Sequence, residues 1–166
     1  MPTVTPVVVS NARHVAKSGE DVVASPAIGQ STGQTTSSTS EVSLTTVVLP
    51  AGLLAINNQM VRIRFGGSVA GVGTGTPRMK FGATYVDNNI AYTNQDWLLE
   101  CVAVRTGAAT QRSHMFQLAG GSAVVGITTA PAETLSGAIT VDFRGVVSVG
   151  TATLSVETVL VEYLAV

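Results

Sequence analysis

Hydrophobic and polar positions alternate with a period of two through most of the chain. The clearest case is Ala138–Val166. There Ile139, Val141, Phe143, Gly145, Val147 and Val149 interleave with Thr140, Asp142, Arg144, Val146 and Ser148. Gly150-Thr151 breaks the pattern, and a second β-rich run, Leu154–Leu164, follows. Alternation, a glycine-centred break and a second run predict a hairpin. The first run has one wet face. The second lacks a consistently polar side, so Val159, Leu160, Val161 and Leu164 are expected at or near an interface between subunits.

Further runs precede it. Leu44–Leu49 reads as a strand ended by Pro50-Ala51-Gly52. Met60–Phe65 sets Val61, Ile63 and Phe65 against Met60, Arg62 and Arg64. Gly66–Pro77 reads as a glycine-dense loop, or a weak strand at Ser68–Val72 between loops. Arg78–Val86, Gln95–Arg105, Gln111–Leu118 and Ala123–Thr129 complete eight or nine short strands separated by Gly-rich turns. With no convincing helix, this is the pattern of an all-β sandwich or jelly roll. Leu98/Leu99, Val146/Val147 and Val159/Leu160/Val161 put apolar side chains on both faces. Either both sheets are covered or subunits pack on them.

The division expected is an extended arm or linker over residues 1–40 and a sandwich over 41–166. Asn11–Lys17 allows a helical turn, and Gly19, Pro26 and Gly29 prevent anything longer. Residues 30–40, Gln-Ser-Thr-Gly-Gln-Thr-Thr-Ser-Ser-Thr-Ser, are polar and of low complexity, and cannot offset their ordering entropy alone. They read either as a flexible linker or as part of an arm that orders on a partner. Val4, Val7, Val8 and Val9 form an apolar tip placed where a docking strand would sit. Forty extended residues reach about 130 Å.

Composition sharpens this. Of 166 residues, 45% are hydrophobic and 11% charged, with a net charge of −1. The charge is well below the roughly one-quarter usual for globular chains, so much of the surface is expected against another subunit. No basic imbalance argues for nucleic acid or a membrane. The first ten residues do not read as a secretory signal. Val47–Ile56 is too short and too broken to span a bilayer. Assembly in a cytoplasm is expected.

No catalytic constellation stands out, and no enzyme activity, metal or cofactor is expected. His14 and His114 read as structural, and with one cysteine they fall short of a zinc site. Cys101, between Glu100 and Val102, reads as a small buried hydrophobe. Gly71-Val72-Gly73-Thr74-Gly75 lacks the order of a phosphate loop. Asp87-Asn88-Asn89 and Asp96 suggest an Asx turn before a calcium site. Trp97, Tyr85 and Tyr92 read mostly as core, with sugar recognition the alternative. Arg62 with Arg64, and Arg78 with Lys80, each share one face of a strand. Direct pairing of those strands would oppose like charges. They are therefore expected in different sheets, or interleaved by Glu100, Asp142, Glu157 or Glu162, or turned toward an acidic partner.

Four runs carry a resemblance: Leu49-Pro50-Ala51-Gly52-Leu53-Leu54, Met60–Gly67, Arg78-Met79-Lys80-Phe81-Gly82, and Trp97 through Arg105-Thr106-Gly107. Across Leu44–Val166 they resemble a β-sandwich module of tailed-bacteriophage virion proteins, found in capsid decoration (cement) proteins, head fibres and tail fibres. The resemblance implies a jelly-roll-like or tumour-necrosis-factor-like sandwich that trimerises through apolar strands, with an N-terminal arm on the virion. It carries over no catalytic residues. The expected function is a decoration protein stabilising the phage head as a homotrimer bound to the major capsid protein or another virion protein. A head-fibre or tail-fibre module recognising a receptor or glycan is the alternative. The short chain without heptads or shaft repeats favours the compact, capsid-bound form.

Overall fold

The computed structural model describes residues 14–15, 21–22, 27–120, 122–124, 126 and 128–164. The strands are β1 (His14–Val15), β2 (Asp21–Val22), β3 (Ala27–Thr36), β4 (Val42–Leu49), β5 (Met60–Gly71), β6 (Gly75–Phe81) and β7 (Thr84–Tyr85). They continue as β8 (Asp96–Gly107), β9 (Thr110–Ala119), β10 (Ser122–Val124), β11 (Thr128–Thr129), β12 (Ile139–Val147) and β13 (Ala152–Leu164). The described residues contain no helix, hence none able to cross a membrane.

Two antiparallel sheets pack as a β-sandwich. The large sheet has seven strands in the order β10-β9-β8-β5-β13-β3, with β11 also on β9. The small sheet has four, β4-β12-β6-β7. Alternation decides which residues meet between them. From the large sheet, Val61, Ile63, Phe65, Leu99, Cys101, Met115, Val156, Val159 and Val161 point inward. From the small sheet, Leu49, Met79, Phe81, Val141 and Phe143 do so, and all are buried. Phe143 ties the layers together, stacking on Phe65 at 4.9 Å and on Trp97 at 5.2 Å.

The expected C-terminal hairpin is not formed. β12 pairs with β4 and β6, whereas β13 pairs with β5 and β3. Both strands bury their alternate apolar residues. They meet face to face through the core, where a Cβ on Gly145 would stand 2.2 Å from Leu154. The connection 148–151 carries the chain from one sheet to the other.

β5 runs well past Phe65, through Gly66-Gly67, to Gly71. The glycines permit it: a Cβ on Gly67 would lie 1.9 Å from the Ser155 carbonyl oxygen and 2.8 Å from the Trp97 ring. That close approach accompanies a register shift in β13 between Val156 and Thr158.

The arm boundary also changes. β3, inside the segment expected as arm, is the edge strand of the large sheet, paired with β13 from Leu154↔Thr36 to Glu162↔Ala27. Pairing with β13 gives main-chain hydrogen bonds to a segment whose composition is mostly polar. In place of a helical turn at Asn11–Lys17, His14–Val15 pairs with Asp21–Val22 in a short antiparallel ladder. Val4, Val7, Val8 and Val9 lie outside the described residues.

Candidate functional site: the outer face of the large sheet

The positions of β13, β5, β8 and β9 that alternate with the core form a lattice on the outer face. Cross-strand register sets its rows. Leu164, Met60, Val104 and Arg112 make one; Glu162, Arg62, Val102 and His114 the next. Leu160, Arg64, Glu100 and Phe116 follow, then Thr158, Gly66, Leu98 and Leu118. A sheet face in water is ordinarily polar. This one carries Leu98, Val102, Val104, Leu118, Leu160 and Leu164, each half-buried, with Phe116 43% exposed.

A chain of charges crosses this apolar field. Arg62 Nη1 lies 3.4 Å from Glu162, and its Nε lies 3.6 Å from Glu100 without a hydrogen bond. Arg64 Nε donates to the other Glu100 oxygen. Two arginines and two glutamates cancel within the chain. At one end the field stops at a polar cluster, where the Ser68 and Ser155 hydroxyls lie 2.8 Å apart and each stands within hydrogen-bonding distance of Glu157 Oε1, at 3.0 and 2.9 Å. An apolar field bounded by polar groups is the anatomy of an interface.

The interface expected at β13 is therefore divided by its alternation. Val159 and Val161 are 3% and 2% exposed, inside the sandwich, and have no surface left to offer a neighbouring subunit. Leu160 and Leu164 point out, onto the lattice.

Arg78 and Lys80 lie in the other sheet, on β6, so they do not oppose Arg62 and Arg64. Arg78 Nε donates to Asp87 at 2.7 Å, and its Nη1 lies 3.7 Å from Glu41. Arg78 and Lys80 both stand over the Tyr85 ring, 4.1 and 4.4 Å from its centroid. Glu41 also accepts from Tyr85 Oη and Arg144 Nε. Burial alone would push the Glu41 carboxyl up; the Tyr85 and Arg144 hydrogen bonds and the Arg144 and Arg78 charges outweigh it and hold it below 4.5. The same Glu41 bond pushes the Tyr85 phenol up. The Asp142 and Glu41 bonds raise Arg144.

Asp87 builds the Asx turn, its Oδ1 accepting from Asn89 N at 2.8 Å, and it also accepts from Met79 N at 2.8 Å. Trp97 and Tyr92 are each 3% exposed, so neither offers a sugar a stacking surface. Burial pushes the Tyr92 hydroxyl up to about 12. Burial likewise pushes the Cys101 thiol up to about 12. The Gly71–Gly75 connection is tied to 148–151: Thr74 N donates to Ser148 Oγ, and Ser148 N to Thr74 O, each at 2.8 Å.

Sequence reasoning missed Glu41 and Asp87 as charge partners, and Val102, Val104, Phe116 and Leu118 as members of one surface. The double-sided apolar character of β8 was the available signal. No protein-family model and no curated protein matches the chain. Among solved structures, a human SPRY domain is similar over 76% of this chain and 87% of that one, at 13% identity and a TM-score of 0.30.

Proposed function

We propose that the chain is a virion structural protein, a decoration (cement) subunit that works as a homotrimer on a phage head. The observation that carries the assembly part is the apolar outer face of the large sheet. It is too broad and too regular for a surface meant for water, and the four charges that cross it, Arg62, Arg64, Glu100 and Glu162, are paired with one another. The virion assignment is supported by the motif resemblance across Leu44–Val166. Function on this reading is mechanical: apolar sheet surface is covered on assembly, and an N-terminal segment adds main-chain hydrogen bonds to the shell.

The test is association with particles. Immunogold labelling of particles from the source phage should decorate the head, and deleting residues 1–26, which spares β3, should abolish that label while the sandwich still folds. Label at a tail tip would favour the receptor-binding alternative, and particles without label would overturn the virion reading.

A further inference from the structure

We infer that the cleft beside the β8–β9 turn is a binding site for a small organic carboxylate, held by Arg105. It lies at the opposite end of β8 from Trp97 and does not depend on the virion reading.

Three segments build the cleft: the 50–56 loop, the β8–β9 turn and the 131–136 connection. Hydrogen bonds tie them together. Gly52 N donates to Leu135 O at 3.2 Å, and Leu135 N to Ala108 O at 3.3 Å. The Gln111 amide clamps the Glu133 backbone from both of its ends, at 2.8 and 2.9 Å. The walls are thus in place before a ligand arrives, which spares it their ordering cost. They surround about 400 Å³, within the range of small-molecule sites. Gly52, Ala55, Ala108 and Ala109 leave this space by their small size, and a Cβ on Gly52 would meet nothing within 4 Å.

Arg105 supplies the charge. Its Nη1 donates to Leu54 O at 2.6 Å and its Nε to Asn57 Oδ1 at 3.1 Å. Both acceptors are neutral. They fix the guanidinium plane and leave three of its five N–H groups without an acceptor among the described residues. Arg62, Arg64, Arg78 and Arg144 each have a carboxylate within 4.0 Å, whereas Arg105 has none among the described residues. Arg112 has none either, but it is exposed on the outer face of the large sheet and does not line this cleft. The one acid of the 131–136 connection, Glu133, is engaged elsewhere, accepting from Ala83 N at 2.7 Å.

This chemistry selects the ligand. A planar fork of N–H donors matches a carboxylate. One guanidinium neutralises one negative charge, so a doubly charged phosphate would keep a charge unmatched. The alanines and Leu135 give a short alkyl tail an apolar wall.

The experiment is an NMR titration of the full chain with sodium butyrate, against sodium chloride at equal ionic strength. Butyrate should shift the Gly52, Ala108 and Ser136 amides saturably, in the millimolar range. Butyramide, of the same shape without the charge, should bind at least tenfold more weakly. Arg105→Gln should weaken butyrate at least tenfold. Ala109→Leu, which fills the cleft and leaves both Arg105 bonds in place, should do the same and stands alone if Arg105→Gln fails to fold. Native Trp97 fluorescence reports folding of each variant. N-acetyl-dialanine with a free carboxylate separates the sources: tighter binding than butyrate identifies the end of a polypeptide, weaker binding a free small acid. No saturable shift, equal binding of butyramide or inorganic phosphate, or unchanged affinity in the folded variants would overturn the inference.

Discussion

Trp97 and Phe143 lie face to face across the sandwich, ring centroids 5.2 Å apart and planes within 7°. One comes from β8 of the large sheet and the other from β12 of the small one. Phe65 stacks on the far partner at 4.9 Å, so Phe143 is the joint of a three-ring stack. Phe143→Ala is expected to cost about 3–5 kcal/mol, because the cavity opens between two sheets that cannot both move in to fill it. Urea unfolding followed by Trp97 fluorescence checks this; a loss under about 1 kcal/mol would show that the stack does not join the layers.

Gly67 permits a close backbone approach between β5 and β13. Gly67→Ala would drive a Cβ to 1.9 Å from the Ser155 carbonyl, and a backbone atom cannot swing away as a side-chain end can. A loss of about 1–3 kcal/mol or more is expected. Gly137→Ala, whose nearest neighbour would be 3.6 Å away, should stay within about 0.5 kcal/mol of wild type. Equal melting temperatures for the two variants would refute the steric account.

Glu41 makes stability depend on acidity. Its folded-state carboxyl sits below the ordinary 4.5, so on acidification the unfolded chain takes up a proton first. The stabilisation is fully present above the unfolded value and is lost as pH falls through the folded one. Glu41→Gln should therefore be less stable than wild type near neutrality, and the two denaturation midpoints should converge in acid. A gap that widens on acidification would contradict the assignment.

Cys101 should be chemically silent in the folded protein. Burial, opposed by a Ser113 hydrogen bond and aided by the Glu100 charge, raises its thiol to about 12. Raising the pH through the ordinary thiol range, about 8.5, should not accelerate alkylation of the native chain, whereas urea should. Rapid native labelling followed by mass spectrometry would place the thiol outside the core.

Much of this architecture is written locally. Val61, Ile63 and Phe65 announce their inward face by alternation alone, and the Asx turn at Asp87 follows from its own short side chain. What the chain does not write locally is register and sheet membership. The alternation of Ile139–Val147 is the same whether its successor pairs beside it or faces it across a core. Only the competing partners β4, β6, β5 and β3 decide that. Residues 30–36 look like a linker by composition because an edge strand needs hydrogen-bonding backbone more than apolar side chains. Phe116 and Leu160 come into one row only after three ladders are aligned, and no single window of sequence contains that information. Arg62 and Arg64 were legible as a pair, and their glutamates as possible partners, since like charges on one face demand compensation.

The position of β13 has a consequence for how the protein is made. It lies between β5 and β3, with pairings such as Gly71↔Ala152 and Ile28↔Val161, which join residues 81 and 133 apart in sequence. Loops of that length close slowly, and until they close β5 keeps one flank unpaired. Leu160, Glu162 and Leu164 also form one border of the outer face. A chain that stops short of β13 thus carries neither a closed sheet nor a complete outer face.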